Sequence, residues 1–218
     1  FYLTGLLTFF FLLSLSSIAQ MRDYGLVYSE NIKGGTTMFG NTLLHAVNIL
    51  GRPDLTKMNG NKQNGNSTYG NDTENMQYID IDGNKGIGSA TRNSSSADLI
   101  LPAGTNNIKL ARLYWGGRIS NTDFDMSKAA NRTIKIKKSS ATNYSDVVAA
   151  GIDQTTIITG FTEYQAYADI TNYVKAEGAG TYIVGNVPLS TGKIDNGGNH
   201  GGWSIVVVYE NPALPYNS

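Results

Sequence analysis

The sequence predicts an all-β fold, a β-sandwich of jelly-roll type with roughly eight to ten strands and a long Asn/Gly-rich loop. Three observations carry that expectation. The chain holds 25 glycines and 13 tyrosines against 5 prolines and is crowded with Asn, Ser and Thr, the composition of short strands joined by polar turns. Apolar and polar residues alternate at a period of two, most cleanly in Thr133–Lys138, TIKIKK, where Ile134 and Ile136 share one face and Lys135 and Lys137 the other. No helical apolar pattern is sustained, and no fixed repeat points to a solenoid or propeller. A closed barrel is the alternative architecture.

Residues 1–20, FYLTGLLTFFFLLSLSSIAQ, are rich in Leu and Phe and fade into small polar residues, the form of a secretory signal peptide cleaved near Ala19 or Gln20. The apolar stretch from Leu6 reaches Ile18 only by crossing Ser14, Ser16 and Ser17, short of the about 20 residues that span a membrane. An uncleaved anchor is the alternative. Residues 21–218 then form one domain, a size common for a single β-sandwich.

Along that domain, residues 36–47, TTMFGNTLLHAV, read as a strand, a bend at Gly40-Asn41 and a second strand. Residues 51–75 carry almost no aliphatic side chains and read as a long exposed loop. Residues 76–81 form a short strand, with a hairpin tip at Asp82-Gly83-Asn84. Another strand, 97–101, stops at Pro102. In 108–117, IKLARLYWGG, Ala111, Leu113 and Trp115 share one face and Leu110, Arg112 and Tyr114 the other, the pattern of an inner strand. Residues 155–170 are β-branched and aromatic, and Asp169 is placed to cap a helical turn from Ile170 to Val174. The last two strands are 181–187 and 203–209. The latter contains SIVVVY, continuously apolar, which predicts a central strand covered on both faces.

Charge and cysteine content remove several function classes. Seventeen basic and 17 acidic residues balance to a net charge of zero, so no footprint for nucleic acid or an anionic membrane is present. The absence of cysteine removes disulfides, thiol nucleophiles and zinc-thiolate sites.

Asp80, Asp82 and Asn84 set hard oxygen ligands at alternate positions near a turn, a pattern suited to calcium, with a plain hairpin turn as the other reading. Asp123 and Asp125 form a similar pair. Residues 194–203, IDNGGNHGGW, gather Asn196, Asn199, His200 and Trp203 in a glycine-rich turn where a ligand approaches closely, and these four are the ligand-binding candidates. His200-Gly201-Gly202 is similar to an esterase oxyanion-hole motif, yet the chain has no Gly-x-Ser-x-Gly nucleophile elbow. With only His45 and His200, a three-histidine metal site is impossible, and His45 reads as a core residue. Tyr69, Tyr144, Tyr164 and Tyr167 are candidates for stacking on sugar rings, against a core or cross-strand role. Sequons at Asn66, Asn71, Asn93, Asn131 and Asn143 arise readily by chance in so Asn-rich a chain.

Four stretches, FGNTLL (39–44), YIDIDG with SSSADLILP (78–102), LARLYWGG (110–117) and GGWSIVVVYENPALP (201–215), together resemble the N-terminal region of large cell-surface, gliding-motility type adhesins of Bacteroidota. The resemblance implies export by the type IX secretion system to the outer face of the outer membrane. It also implies further strands beyond Ser218, so the domain reads as truncated at its C-terminus. It supplies no catalytic residues. The expectation is a non-enzymatic extracellular adhesion or structural module contacting a polysaccharide or a neighbouring surface protein, possible calcium included, without membrane insertion of the mature chain. The alternative is a secreted carbohydrate-active enzyme using a carboxylate pair.

Overall fold

The computed structural model describes residues 25–48, 50, 53, 74–82, 91–194 and 197–217. The signal peptide, most of the 51–75 loop, the Gly83-Asn84 hairpin tip, Asn196 and Tyr69 lie outside the described residues.

Alternation at period two produces the longest strand, β5 (Asn107–Ser120), in which Ala111, Leu113 and Trp115 are buried and Leu110, Arg112 and Tyr114 half-buried. Around it stand β1 (Ile32–Thr42), β2 (Leu44–Ala46), β3 (Met76–Tyr78), β4 (Ser94–Leu99), β6 (Thr133–Lys138), β7 (Ser145–Val148), β8 (Gly151–Ile158), β9 (Phe161–Asp169), β10 (Gly180–Gly185), β11 (Gly201–Glu210) and β12 (Tyr216–Asn217). The helix α1 (Thr171–Glu177) joins β9 to β10. The strands form a six-stranded sheet, β12-β1-β11-β5-β9-β8, a four-stranded sheet, β4-β10-β6-β7, and a small β2-β3 pair, with antiparallel pairing throughout. The fold is therefore an all-β sandwich.

Its core lies between the two large sheets. Trp115, Leu113, Ile205 and Val207 from one meet Ile134, Ile136, Tyr182 and Val184 from the other, all at most 2% exposed. Phe39 stands edge-on to Trp203, ring centroids 6.2 Å apart, and 5.5 Å from Tyr182. Each such aliphatic side chain contributes about 1.5–3 kcal/mol by leaving water, which is ample to fix the register. Lys138 shares the inward phase of Ile134 and Ile136. It stays in place because its ammonium donates to the Gly178 and Ala179 carbonyls and sits over the Tyr182 ring, and burial holds its pKa below the usual lysine range.

Four local expectations need correction. β1 runs through Gly40-Asn41, and the bend falls at Leu43. Gly40 is small for another reason: a Cβ there would lie 2.2 Å from the Trp203 carbonyl oxygen across the strand pair. The fourth strand begins at Ser94 rather than Ala97, because Ser94 and Ser95 are buried, and Ser95 Oγ accepts the Trp203 Nε1–H at 2.9 Å. The β-branched and aromatic stretch 155–170 supplies the end of β8 and all of β9, in keeping with its composition, and turns at Gly160 with φ of 87°. Asp169 Oδ1 accepts the Thr171 N–H at 2.8 Å, so the carboxylate serves the helix start as expected, while the helix begins one residue late. Finally, β11 is central but not covered alike on both faces: Trp203, Ile205, Val207 and Tyr209 are buried, whereas Ser204, Val206 and Val208 are half-buried on the outer face. Its unbroken apolarity supplies the floor of a groove there.

Candidate functional site

The antiparallel register aligns residues in rows across the outer face of the six-stranded sheet. Ser204, Tyr114 and Tyr167 stand in one row, Gly202, Gly116 and Gln165 in the next, and Arg118 opposite Glu163 in the third. Directly paired antiparallel residues point to the same face, so the middle row opens a trough in which two glycines leave the backbone bare. Both glycines are required by close strand approach: a Cβ on Gly116 would lie 2.3 Å from the Tyr164 oxygen, and one on Gly202 would lie 2.6 Å from the Asn41 oxygen. The trough encloses about 510 Å³.

Tyr114 forms one wall, with Tyr167 behind it at 6.3 Å between ring centroids. His200 and Glu163 form the other. Arg118 Nε donates to Glu163 Oε1 at 2.5 Å, and His200 Nε2 lies 2.9 Å from Glu163 Oε2. The Arg118 side chain is only 6% exposed and that of His200 47%, so a buried cation anchors the carboxylate, which in turn orients an accessible imidazole. A carboxylate only accepts, so Nε2 carries the proton and, in the neutral ring, Nδ1 is left as an acceptor. Gln165 is exposed on the trough floor and adds an amide donor and acceptor. The trough thus offers an aromatic face, a polar fork and an oriented imidazole. Glu163 is the single carboxylate among its lining residues, and both its oxygens are engaged.

Of the four ligand-binding candidates, the structure brings His200 into the trough. Asn199 is fully buried and its Nδ2 donates to the Gly192 oxygen at 3.1 Å, tying the loop, while Trp203 borders the trough but is 5% exposed, its Nε1–H donating to Ser95 inside the sandwich. Tyr164 is likewise a core residue, its hydroxyl donating to the Pro188 oxygen at 2.9 Å. Tyr144 is spent on Asp82, to which its hydroxyl donates. Tyr167 remains on the outer face, under the Arg112 guanidinium at 4.8 Å. His45 is buried, its Nδ1 3.1 Å from the Ala46 oxygen. Sequence reading missed Glu163, Gln165 and Tyr114; the polar alternation Glu163, Gln165, Tyr167 was the available signal.

Asp80 and Asp82 do meet, around one hydroxyl. Ser94 Oγ lies 2.9 Å from Asp80 Oδ1 and 2.8 Å from Asp82 Oδ1, and it accepts the Ile81 N–H at 3.0 Å. A hydroxyl has one proton, so it serves one carboxylate at a time. Burial and the neighbouring Asp82 push Asp80 above the usual carboxylate range. Burial also pushes Asp82 upward, but hydrogen bonds with Tyr144, Asp80, Ser94 and Thr91 outweigh it and hold Asp82 below that range. Among the described residues no group of three or more His, Cys, Asp or Glu side chains gathers around a metal position, and Asn84 lies outside them. Asp125 is held by the Ser127 side chain and by the Ser127 N–H at 2.9 Å, which lower its pKa, and it and Asp123 are exposed. Among the described residues no helix is long and apolar enough to cross a membrane.

Comparison of the chain with protein-family models, curated proteins and solved structures found no match.

Proposed function

We propose that this chain is a non-enzymatic extracellular adhesion module that holds a polysaccharide in the trough on the outer face of the six-stranded sheet. The observation that carries the reading is the glycine floor at Gly116 and Gly202, set between the Tyr114 wall and the His200–Glu163 pair. Bare backbone lets a sugar ring lie flat, an aromatic wall stacks on it, and Gln165 and His200 meet its hydroxyls. A lone, doubly engaged carboxylate supports binding over glycoside hydrolysis, which uses two.

The signal-peptide form of residues 1–20 supports export, and the four stretches that resemble gliding-motility adhesins support a place on the outer face of the outer membrane, reached through type IX secretion. We read the winding as a jelly roll, because the pairs β1–β11, β4–β10, β5–β9 and β6–β7 nest like one long antiparallel ribbon folded over itself. The test is a panel of soluble polysaccharides assayed by affinity electrophoresis with the wild-type chain and with Tyr114→Ala. Retardation by at least one polymer, lost in the variant, is the expected result. Binding that Tyr114→Ala leaves intact contradicts the placement in the trough.

A further inference from the structure

The outer face carries a second groove, of about 470 Å³, that meets the trough at Tyr114, a residue lining both. Its floor is Leu110, Val206 and Val208, and its far wall is the segment 26–30. Within this largely apolar lining sits Arg112. Its Nε is shielded from solvent with no hydrogen-bond partner, and its guanidinium stacks on the Tyr167 ring at 4.8 Å. The carboxylates nearby each have another partner. Asp169, in register with Arg112, accepts the Thr171 N–H, and Glu30 on the covering segment accepts the Tyr28 hydroxyl and faces Lys109 Nζ at 3.9 Å. An arginine stays charged at any pH the fold tolerates, so a guanidinium lining an apolar groove, with no acceptor at its Nε, favours an anion in that groove.

We propose that Arg112 binds an anionic substituent, a carboxylate or a sulfate ester, of the polysaccharide whose neighbouring sugar stacks on Tyr114. This inference rests on the polysaccharide reading and deepens it. Arg112 and Tyr114 share a face two residues apart on β5, a strand rise of about 7 Å, so one glycan chain lying along the strand reaches both. The terminal N–H groups of this groove-lining guanidinium present an edge that matches two oxygens of one anionic group, and the apolar floor strengthens that pairing by excluding water.

The experiment compares alginate, which carries carboxylates, dextran sulfate, which carries sulfate esters, and neutral dextran, each titrated against the full chain, Arg112→Gln and Arg112→Lys, with a thermal melt of every protein. At least one charged polymer should bind about tenfold tighter than dextran; Arg112→Gln should erase the preference and Arg112→Lys retain part of it. The charged polymer that is preferred identifies the substituent. Equal binding of neutral and charged polymers overturns this inference and leaves the trough reading in place, whereas binding of none overturns both. An Arg112→Gln chain that melts like wild type and keeps the preference also overturns it. Should that variant not fold, alginate with its carboxyl groups reduced to alcohols is used on the wild-type chain, and undiminished binding of it together with unaltered alginate is the contradicting result.

Discussion

Glu163 orients His200: its Oε2 stands 2.9 Å from the imidazole Nε2, although Glu163 lies near the start of β9 and His200 just before β11, 37 positions apart in sequence. The same carboxylate takes Arg118 Nε on its other oxygen at 2.5 Å. One acidic side chain therefore holds both a buried cation and an exposed imidazole. Replacing Glu163 by Ala deprives a nearly buried guanidinium of its carboxylate, which should destabilise the fold by about 2–4 kcal/mol. A urea denaturation curve measures it, and an unchanged midpoint would show that the pair contributes nothing.

Trp115 and Val207 are at most 2% exposed and face the opposing sheet. Trp115→Ala should cost about 3–5 kcal/mol and Val207→Ala a smaller amount, about 2 kcal/mol, read from the same curves. Wild-type midpoints in both would contradict the assigned strand phases. Trp203→Phe separates the two roles considered for that residue: it should lower stability through loss of the Ser95 hydrogen bond and leave polysaccharide binding unaltered.

The strand phases were legible because TIKIK and ARLYW alternate, and the side-chain period of two leaves one solution when one face is buried. The start of β4 was not, since serines carry no strand signal and Ser94 and Ser95 are buried by partners far along the chain, Asp80, Asp82 and Trp203. The glycines at 40 and 202 read locally as a bend and a turn element, and Gly116 as the end of a strand. Their smallness answers to backbone on neighbouring strands, which no local pattern reports. The trough was legible in one residue, His200, since its other walls come from β5 and β9 and meet it only through sheet register. SIVVVY signalled burial correctly but not which face belongs to the sandwich.

Asp80 and Asp82 should move stability with pH in opposite senses. Asp80 is raised, so the folded state holds its proton more tightly than the unfolded chain; that stabilisation is complete below the unfolded pKa and is lost as pH rises through the folded one. Asp82 is lowered, so its contribution is complete above the unfolded pKa and is lost as pH falls through the folded one. At neutral pH, Asp80→Asn should therefore raise the melting temperature and Asp82→Asn lower it. The reverse ordering in melts from pH 3 to 8 would contradict the assignment.

Ser94, Thr91 and Tyr144 already satisfy Asp82 without an ion. Addition of a chelator should leave the melting temperature of the wild-type chain unchanged. A drop on chelation, reversed by calcium and absent in Asp82→Asn, would instead assign a calcium role to Asp80 and Asp82.

The most direct test of the trough is the backbone amide spectrum of the isotopically labelled chain during titration with a polysaccharide that retards it in the electrophoretic panel. The account predicts that the shifted amides cluster at Tyr114, Gly116, Gln165, His200 and Gly202. Shifts confined to any other surface, with these five unmoved, would contradict it.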